Sequence, residues 1–329
     1  MHGPANGPFY AIYYPALAII GVPANLMAII ILSRGWCGLS RCITHYLVAI
    51  VVTDFLVMVT AVILNRIGGI YFIYSILSIT PGCAVSTVLV YATRDGSVWL
   101  TVAFTFDRFV SICCQKLKTR YCTEKTPLLG IGMVITLSYV KNIPFYFTYQ
   151  PLYILDEIPW FCDIKSSYYT ISSWQAYDWL DHILTPFLPF FFILMLNALT
   201  VRHIVEASRA RRLKGSESDG DPEIANRKKS IVLLFAISLS FLLLWVTYVG
   251  HFLYVRVTAE AYFTGLDFND PHFIFQETNK MLQLLSSCNN TFIYAVAQTK
   301  FRNELKKLLV FPFAIITGCF RLNSASWSC

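Results

Sequence analysis

Apolar residues gather into seven long runs separated by short polar connections: about Tyr10–Leu32, His45–Ile67, Pro81–Cys114, Pro127–Tyr149, Tyr177–Ile204, Ser230–Tyr254 and Pro271–Gln298. Crossing a hydrocarbon layer of about 30 Å takes an α-helix roughly 20 residues, and the runs meet that length. None alternates apolar and polar positions as a barrel strand would, so the pattern predicts an all-α helical bundle in lipid. The third run continues past the bilayer at one end, and Asn, Gln and Ser interrupt the seventh. The first run does not read as a cleaved leader, because no Lys or Arg precedes it, it exceeds an h-region, and no small-residue cleavage pattern follows.

Composition supports lipid as the solvent. The 329 residues are 56% hydrophobic and only 14% charged, with mean hydropathy +0.56. A soluble domain is nearer a quarter charged. The basic residues then orient the bundle. Arg34 and Arg41, Lys116 to Lys125, Arg202 to Lys229, and Lys300 to Arg321 fall in the odd connections and after the last run, whereas the other side holds Arg66, Lys165 and Arg256. The positive-inside rule puts the odd connections in the cytoplasm and the N-terminus outside. The net charge of +7 is therefore an orientation signal with some attraction to anionic membrane lipid, and not a nucleic-acid footprint.

Most of the ten cysteines lie in helices or on the reducing side, so they do not form a disulfide scaffold. Cys83 and Cys162 lie at the outer mouth. A bond between them would tie down the acidic loop YILDEIPWFCDIK; the alternative is two free thiols. Cys319, inside the cell, is either acylated or a plain reduced thiol.

Several motifs accompany this layout. GVPAN holds Asn25, LVAIVVTDF holds Asp54, and the third run ends in Asp107-Arg108-Phe109. FLLLWVT spans Phe241 to Thr247, Asn290-Thr291-Phe292-Ile293-Tyr294 closes the seventh run, and KFRNELKKLL follows. In order and separation these resemble the rhodopsin-like (class A) G-protein-coupled receptors from about Tyr10 to Leu309. The resemblance implies a seven-transmembrane receptor domain at 1–309, ending in a short amphipathic helix 8, and a cytoplasmic tail at 310–329. The wording of LKTRYCTEK, WQAYDWLDHILTPFLPFFFILMLN and FRNEL is similar to an orphan branch proposed to sense aromatic amino acids. There are departures from the family pattern. Thr247 and Thr291 replace helix-kinking prolines, Asn197 replaces a tyrosine, Phe109 lacks a hydroxyl, and the fourth run has no tryptophan, while Pro144 and Pro189 are kept.

The resemblance assigns roles that the physical chemistry can accommodate. An intramembrane charge needs a partner or a wet cavity. Asp107 can restrain Arg108, and with Phe109 and Tyr294 they form the expected coupling switch for a heterotrimeric G protein. Asp54, with Ser97 and Asn290, offers oxygen ligands for a sodium ion or ordered water, the bland alternative being a hydrogen-bonded helix contact. No other cofactor is expected. For the extracellular ligand, Tyr91 and Arg94 share one helix face, Trp245, Tyr248 and His251 form a stripe, and Lys280 and Gln283 share another face.

The basic pair Arg94 and Lys280 favours a small ligand with a carboxylate, an aromatic amino acid or a short peptide; Asp95 and Glu277 either contact a ligand amine or neutralise those bases. Val90 stands where aminergic receptors carry an aspartate, and Leu284 where opsins carry the retinal lysine, which argues against both. The roughly nine residues ahead of the first run lead us to expect no hormone-binding ectodomain. Ser216 and Ser218, between basic flanks, are candidate phosphorylation sites or part of a solvated linker. Two rivals remain: a ligand-binding relative of receptors with weak or absent G-protein coupling, and a secondary transporter, which would show repeated halves that the chain lacks. No G-x-S-x-G, H-E-x-x-H or P-loop pattern suggests an enzyme.

Overall fold

A computed structural model describes residues 8–114, 125–213, 222–258 and 270–310. Cys319, Cys329, Ser216, Ser218 and the tail beyond 310 lie outside the described residues. The fold is an all-α bundle. Helices α1 (Pro8–Ser33), α2 (Arg41–Tyr71), α3 (Thr80–Cys113) and α4 (Lys125–Asn142) are followed by α5, which runs from Ser172 to Leu213, by α6 (Pro222–Thr258) and by α7 (Pro271–Ala297). Residues 299–310 form a last helix, α8. Among the described residues, five helical stretches are long and apolar enough to cross a membrane: Phe9–Ser33, Arg41–Tyr71, Lys125–Thr148, Ser172–Arg209 and Ile231–Val255. α3 and α7 are as long, but Arg94, Asp95, Asp107 and Arg108 break the apolar character of one, and Gln276, Glu277, Lys280 and Asn290 that of the other.

Those two polar helices sit where polarity is tolerated. α3 packs against α2, α4, α5 and α6, while α7 packs against α1, α2 and α6. Large apolar side chains cover the outside instead, as at Ile19, Leu129, Leu137, Phe191 and Leu243, because lipid exacts no penalty for them. One core cluster gathers Tyr46, Leu47, Ile50, Leu100, Phe104, Leu234 and Tyr294, closed by Phe301 of α8, whose ring lies 5.9 Å from that of Tyr294. Gly21 makes the contact of α1 with α2 and α7 close: a Cβ there would lie 2.8 Å from the Met58 sulfur and 3.3 Å from that of Cys288.

Local irregularities carry much of the shape. Ser40 caps α2 by accepting the Ile43 N–H. Met58–Ile67 then widens into π-helical turns, which wind more residues per turn than an α-helix. α4 tightens into a 3₁₀ stretch, Ile143–Thr148, at Pro144. α5 leaves helical geometry at Thr185 (φ −148°, ψ 106°), the residue before Pro186, where the proline ring disfavours the helical region. α6 and α7 run without interruption through Thr247 and Thr291, as the missing prolines imply.

Between α4 and α5 the chain forms two small antiparallel sheets. β1 (Tyr149–Gln150) pairs with β4 (Asp163–Ile164), and β2 (Tyr153–Leu155) pairs with β3 (Ile158–Trp160). Asp156 and Glu157, both at positive φ, make the hairpin turn. Cys162 is disulfide-bonded to Cys83 at the start of α3, their Cα atoms 6.1 Å apart. Thr80 adds a second fastening by donating to the Phe161 carbonyl at 2.7 Å. The loop is thereby held over the same end of the bundle to which α3 brings its first turn.

Candidate functional site

A cavity of about 230 Å³ opens among α2, α3, α6 and α7 beneath β1 and β4, with Tyr149 and Ile164 on its rim side. Tyr91, Arg94, Trp245, Tyr248, Lys280 and Gln283 all line it. His251 does not; it is buried, with its ring 5.6 Å from His272 and 5.3 Å from Phe275. The cause is helical drift. Each step of three residues turns the face by about 60°, so a stripe begun at Trp245 has rotated about 120° by His251, toward α7.

The charged lining has a consistent arrangement. Glu277 on α7 is only 4% exposed, and its two oxygens meet Lys280 Nζ at 2.6 Å and Arg66 Nη1 of α2 at 3.3 Å. The Tyr14 hydroxyl donates to the same carboxylate at 3.4 Å. Lys280 and Arg66 remain 29% and 24% exposed and line the cavity with Glu277, whose carboxylate is nearly covered by its two cations. On the opposite wall the Arg94 guanidinium lies 4.9 Å from the Tyr91 ring centre, and its Nε makes no hydrogen bond among the described residues. Asp95 is 3.9 Å away, at the edge of ion-pair range, because it serves another partner. Lys141 Nζ sits 2.6 Å from Asp95 and 2.5 Å from Asp181, and the Asn142 amide donates to Asp95 at 2.8 Å. Of the two roles open to Asp95 and Glu277, these distances favour neutralising the protein's own bases.

Ser97 and Asn290 line the cavity too, and they lead to Asp54. Ser97 Oγ donates to Asp54 Oδ1 at 2.5 Å, and Asn290 Nδ2 to Oδ2 at 2.7 Å. Asn25 extends the network by donating to the Ser287 carbonyl at 3.1 Å and accepting from Thr291 at 3.1 Å. Trp245 Nε1 donates to Ser286 at 3.2 Å, which joins this network's helix to the cavity's aromatic wall. Toward the far end of α3, Arg108 Nε donates to Asp107 Oδ2 at 3.0 Å, with Nη2 bonded to the same oxygen. Both residues are buried, Phe109 is half-buried, and Tyr294 is buried against Phe301.

This arrangement of a mouth cavity, a polar shelf and a paired Asp-Arg along one bundle agrees with the family comparison. The chain belongs to the family described as 7 transmembrane receptor (rhodopsin family), whose model matches residues 24–294. That is a family of receptors and not of enzymes. Among individual proteins, the chain is similar to the mouse (Mus musculus) protein named Probable G-protein coupled receptor 142, with 24% identity over 301 residues, 91% of this chain and 72% of that one. It is similar to the Melatonin receptor type 1B of Rattus norvegicus, with 24% identity over 69% of this chain and 58% of that receptor. The Sex peptide receptor of Drosophila melanogaster is 22% identical over 92% of this chain and 73% of its own length.

The sequence pattern missed Arg66 as a cavity residue and Lys141 as the partner of Asp95. Arg66 lies in the last of the π-helical turns, where a 3.6-residue period misassigns faces. Lys141 lies inside the fourth apolar run, where the sequence pattern gives it no role, although a buried carboxylate such as Asp95 calls for a base within reach.

Proposed function

We propose that the protein is a seven-span plasma-membrane G-protein-coupled receptor, N-terminus outside and C-terminus in the cytoplasm, that signals the arrival of a small extracellular ligand bearing a carboxylate. An aromatic amino acid or a short peptide with a free C-terminus has the required chemistry. The observation that carries this reading is the charge of the cavity lining: three cations, Arg66, Lys280 and Arg94, against one carboxylate, Glu277, which is 4% exposed and already paired with two of them, while Asp95, 1% exposed, lies outside the lining. A ligand anion meets an excess of cations there, with Tyr91, Trp245 and Tyr248 offering aromatic surface beside it. The relatives' names point to a peptide in one case and melatonin in another, so they do not choose a ligand class. The cavity's charge does.

Signalling in this reading is a shift between two packings of the bundle, biased by the ligand and read by the G protein at the Asp107-Arg108 end. The helix α8 corresponds to the family's helix 8. The Asp54 carboxylate, with the hydroxyls of Ser97 and Ser287 beside it, offers oxygens that suit a small hard cation such as sodium, while Asn290 meets it through its amide N–H. A second reading, a ligand binder with weak coupling, draws support from the uninterrupted α6 and α7.

The deciding experiment is a panel of amino acids, short peptides, lipids and amines, each acid paired with its neutral amide, read through reporters for each G-protein class. Arg94→Met should lower potency for an active acid by roughly 10- to 100-fold and leave its amide nearly unchanged, because only the acid loses a charge-assisted bond. Equal losses for acid and amide would make Arg94 a packing residue. Activation by amines that lack a carboxylate, and by no acid, would overturn the ligand class.

A further inference from the structure

Asp107 is held from two sides. Its Oδ2 takes Arg108, and its Oδ1 accepts the thiol of Cys42 on α2, Sγ to oxygen 3.0 Å. Cys42 is buried, in the first turn of α2, which Ser40 caps. Three features make this contact more than packing. The Sγ–Oδ1 distance is short for a sulfur donor, whose bonds run longer than those of N–H and O–H groups. The acceptor is an ionised carboxylate, which strengthens a bond from a poor donor. The first turn of a helix is also the end whose dipole favours a negative charge.

We propose that Cys42 is a positioning residue for the Asp107-Arg108 pair: its S–H fixes the orientation of the Asp107 carboxylate so that Oδ2 points at the guanidinium. A carboxylate anchored at one oxygen presents the other without further loss of rotational freedom, so the pair with Arg108 is tighter than a lone acid would make it. The same bond ties α3 to α2 at the level of Arg108. Release of Arg108 therefore breaks the bonds from its Nε and Nη2 to Asp107 on α3 and leaves a carboxylate that is still tied to α2. This rests on the reading of Asp107-Arg108 as the coupling switch.

The test compares Cys42→Ala, Cys42→Ser, Asp107→Asn and the double variant Cys42→Ala/Asp107→Asn in the full-length receptor, with ligand-independent signalling normalised to surface expression. Cys42→Ala should raise signalling per receptor by roughly two- to fivefold, equivalent to about 0.4–1 kcal/mol at 1.4 kcal/mol per factor of ten. Cys42→Ser, which restores a hydroxyl donor, should return it toward the wild-type level. In the Asp107→Asn background Cys42→Ala should add little, since the two changes act on one contact. Wild-type signalling in Cys42→Ala, or a Cys42→Ser variant as active as Cys42→Ala, would overturn the proposal. If Asp107→Asn itself left signalling unchanged, the switch reading would fail first. An independent readout covers that outcome: in infrared spectra of purified receptor, the Cys42 S–H band, identified by its loss in Cys42→Ser, should lie at a hydrogen-bonded frequency and move toward the free-thiol position in Asp107→Asn. A band that does not move would overturn the thiol–carboxylate bond whatever the signalling result.

Discussion

Single side chains decide what the polar interior can do, and Asp54 is the sharpest case. Fully buried among Ser97, Asn290 and the α7 serines, it has both oxygens engaged, yet the donors are neutral and leave its charge uncompensated. If a sodium ion supplies the compensation, Asp54→Asn should abolish it at nearly constant volume. The expected outcome is that sodium chloride raises the thermal stability of the wild-type receptor above that in an equal concentration of choline chloride, and that Asp54→Asn removes the difference. An identical sodium effect in the variant would reduce the cluster to a hydrogen-bonded helix contact. Asp54→Ala answers less cleanly, because it also opens a cavity. At this scale much was legible beforehand. The gathering of Asp54, Ser97 and Asn290 is what the resemblance to rhodopsin-like receptors implied, since no spacing along the chain brings three helices together, whereas Asp107 and Arg108 adjoin in the chain. His251 and Arg66 were not legible: one lies too far along its helix for a stripe to hold its face, and the other follows a change of helical period.

Among the elements, the contact between α3, α4 and α5 depends on one ammonium. Lys141 lies between Asp95 and Asp181, and the Tyr177 hydroxyl of α5 donates to the Lys141 carbonyl, so three helices converge on a single residue. Removing one partner of a buried ion pair is costlier than removing the whole set, since it strands charge in a low-dielectric interior. Lys141→Met should therefore cost about 3–5 kcal/mol, seen as reduced surface expression and a lower unfolding temperature. The triple variant Lys141→Met/Asp95→Asn/Asp181→Asn should regain most of that loss. Wild-type stability in Lys141→Met would show that water already compensates the two carboxylates. The run lengths in the sequence anticipated these elements to within a few residues for α1, α3 and α7. They did not anticipate the break at Thr185, because Pro186 and Pro189 fall in one apolar run and a proline's position does not by itself say whether a helix bends or breaks there, nor the loop's paired strands, whose Tyr153–Leu155 and Ile158–Trp160 are too short for an alternation to stand out.

For the molecule as a whole, the question is how an event at the mouth reaches the far end of α3. α3 is a single helix from Thr80 to Cys113, tied to the loop between α4 and α5 by the Cys83–Cys162 bond, lining the cavity with Tyr91 and Arg94, touching the polar shelf through Ser97, and carrying Asp107 and Arg108 two turns before its end. In the packing seen here Arg108 is bound to Asp107 and buried, so a partner protein cannot use its donors. Asp107→Asn keeps the shape and removes the charge attraction, which should shift the equilibrium toward the released arginine by about 1–2 kcal/mol and raise ligand-independent signalling several-fold. Arg108→Ala should instead abolish G-protein activation and leave binding at the cavity largely intact, because the two regions share a helix but no contact. Both variants must be compared at matched surface expression, since an unpaired buried charge also lowers yield. Uninterrupted α6 and α7 sharpen the test. If the missing prolines prevent the proposed change of packing from releasing Arg108, neither variant will change signalling, and Asp107-Arg108 then serves to anchor α3 at the membrane border without acting as a switch.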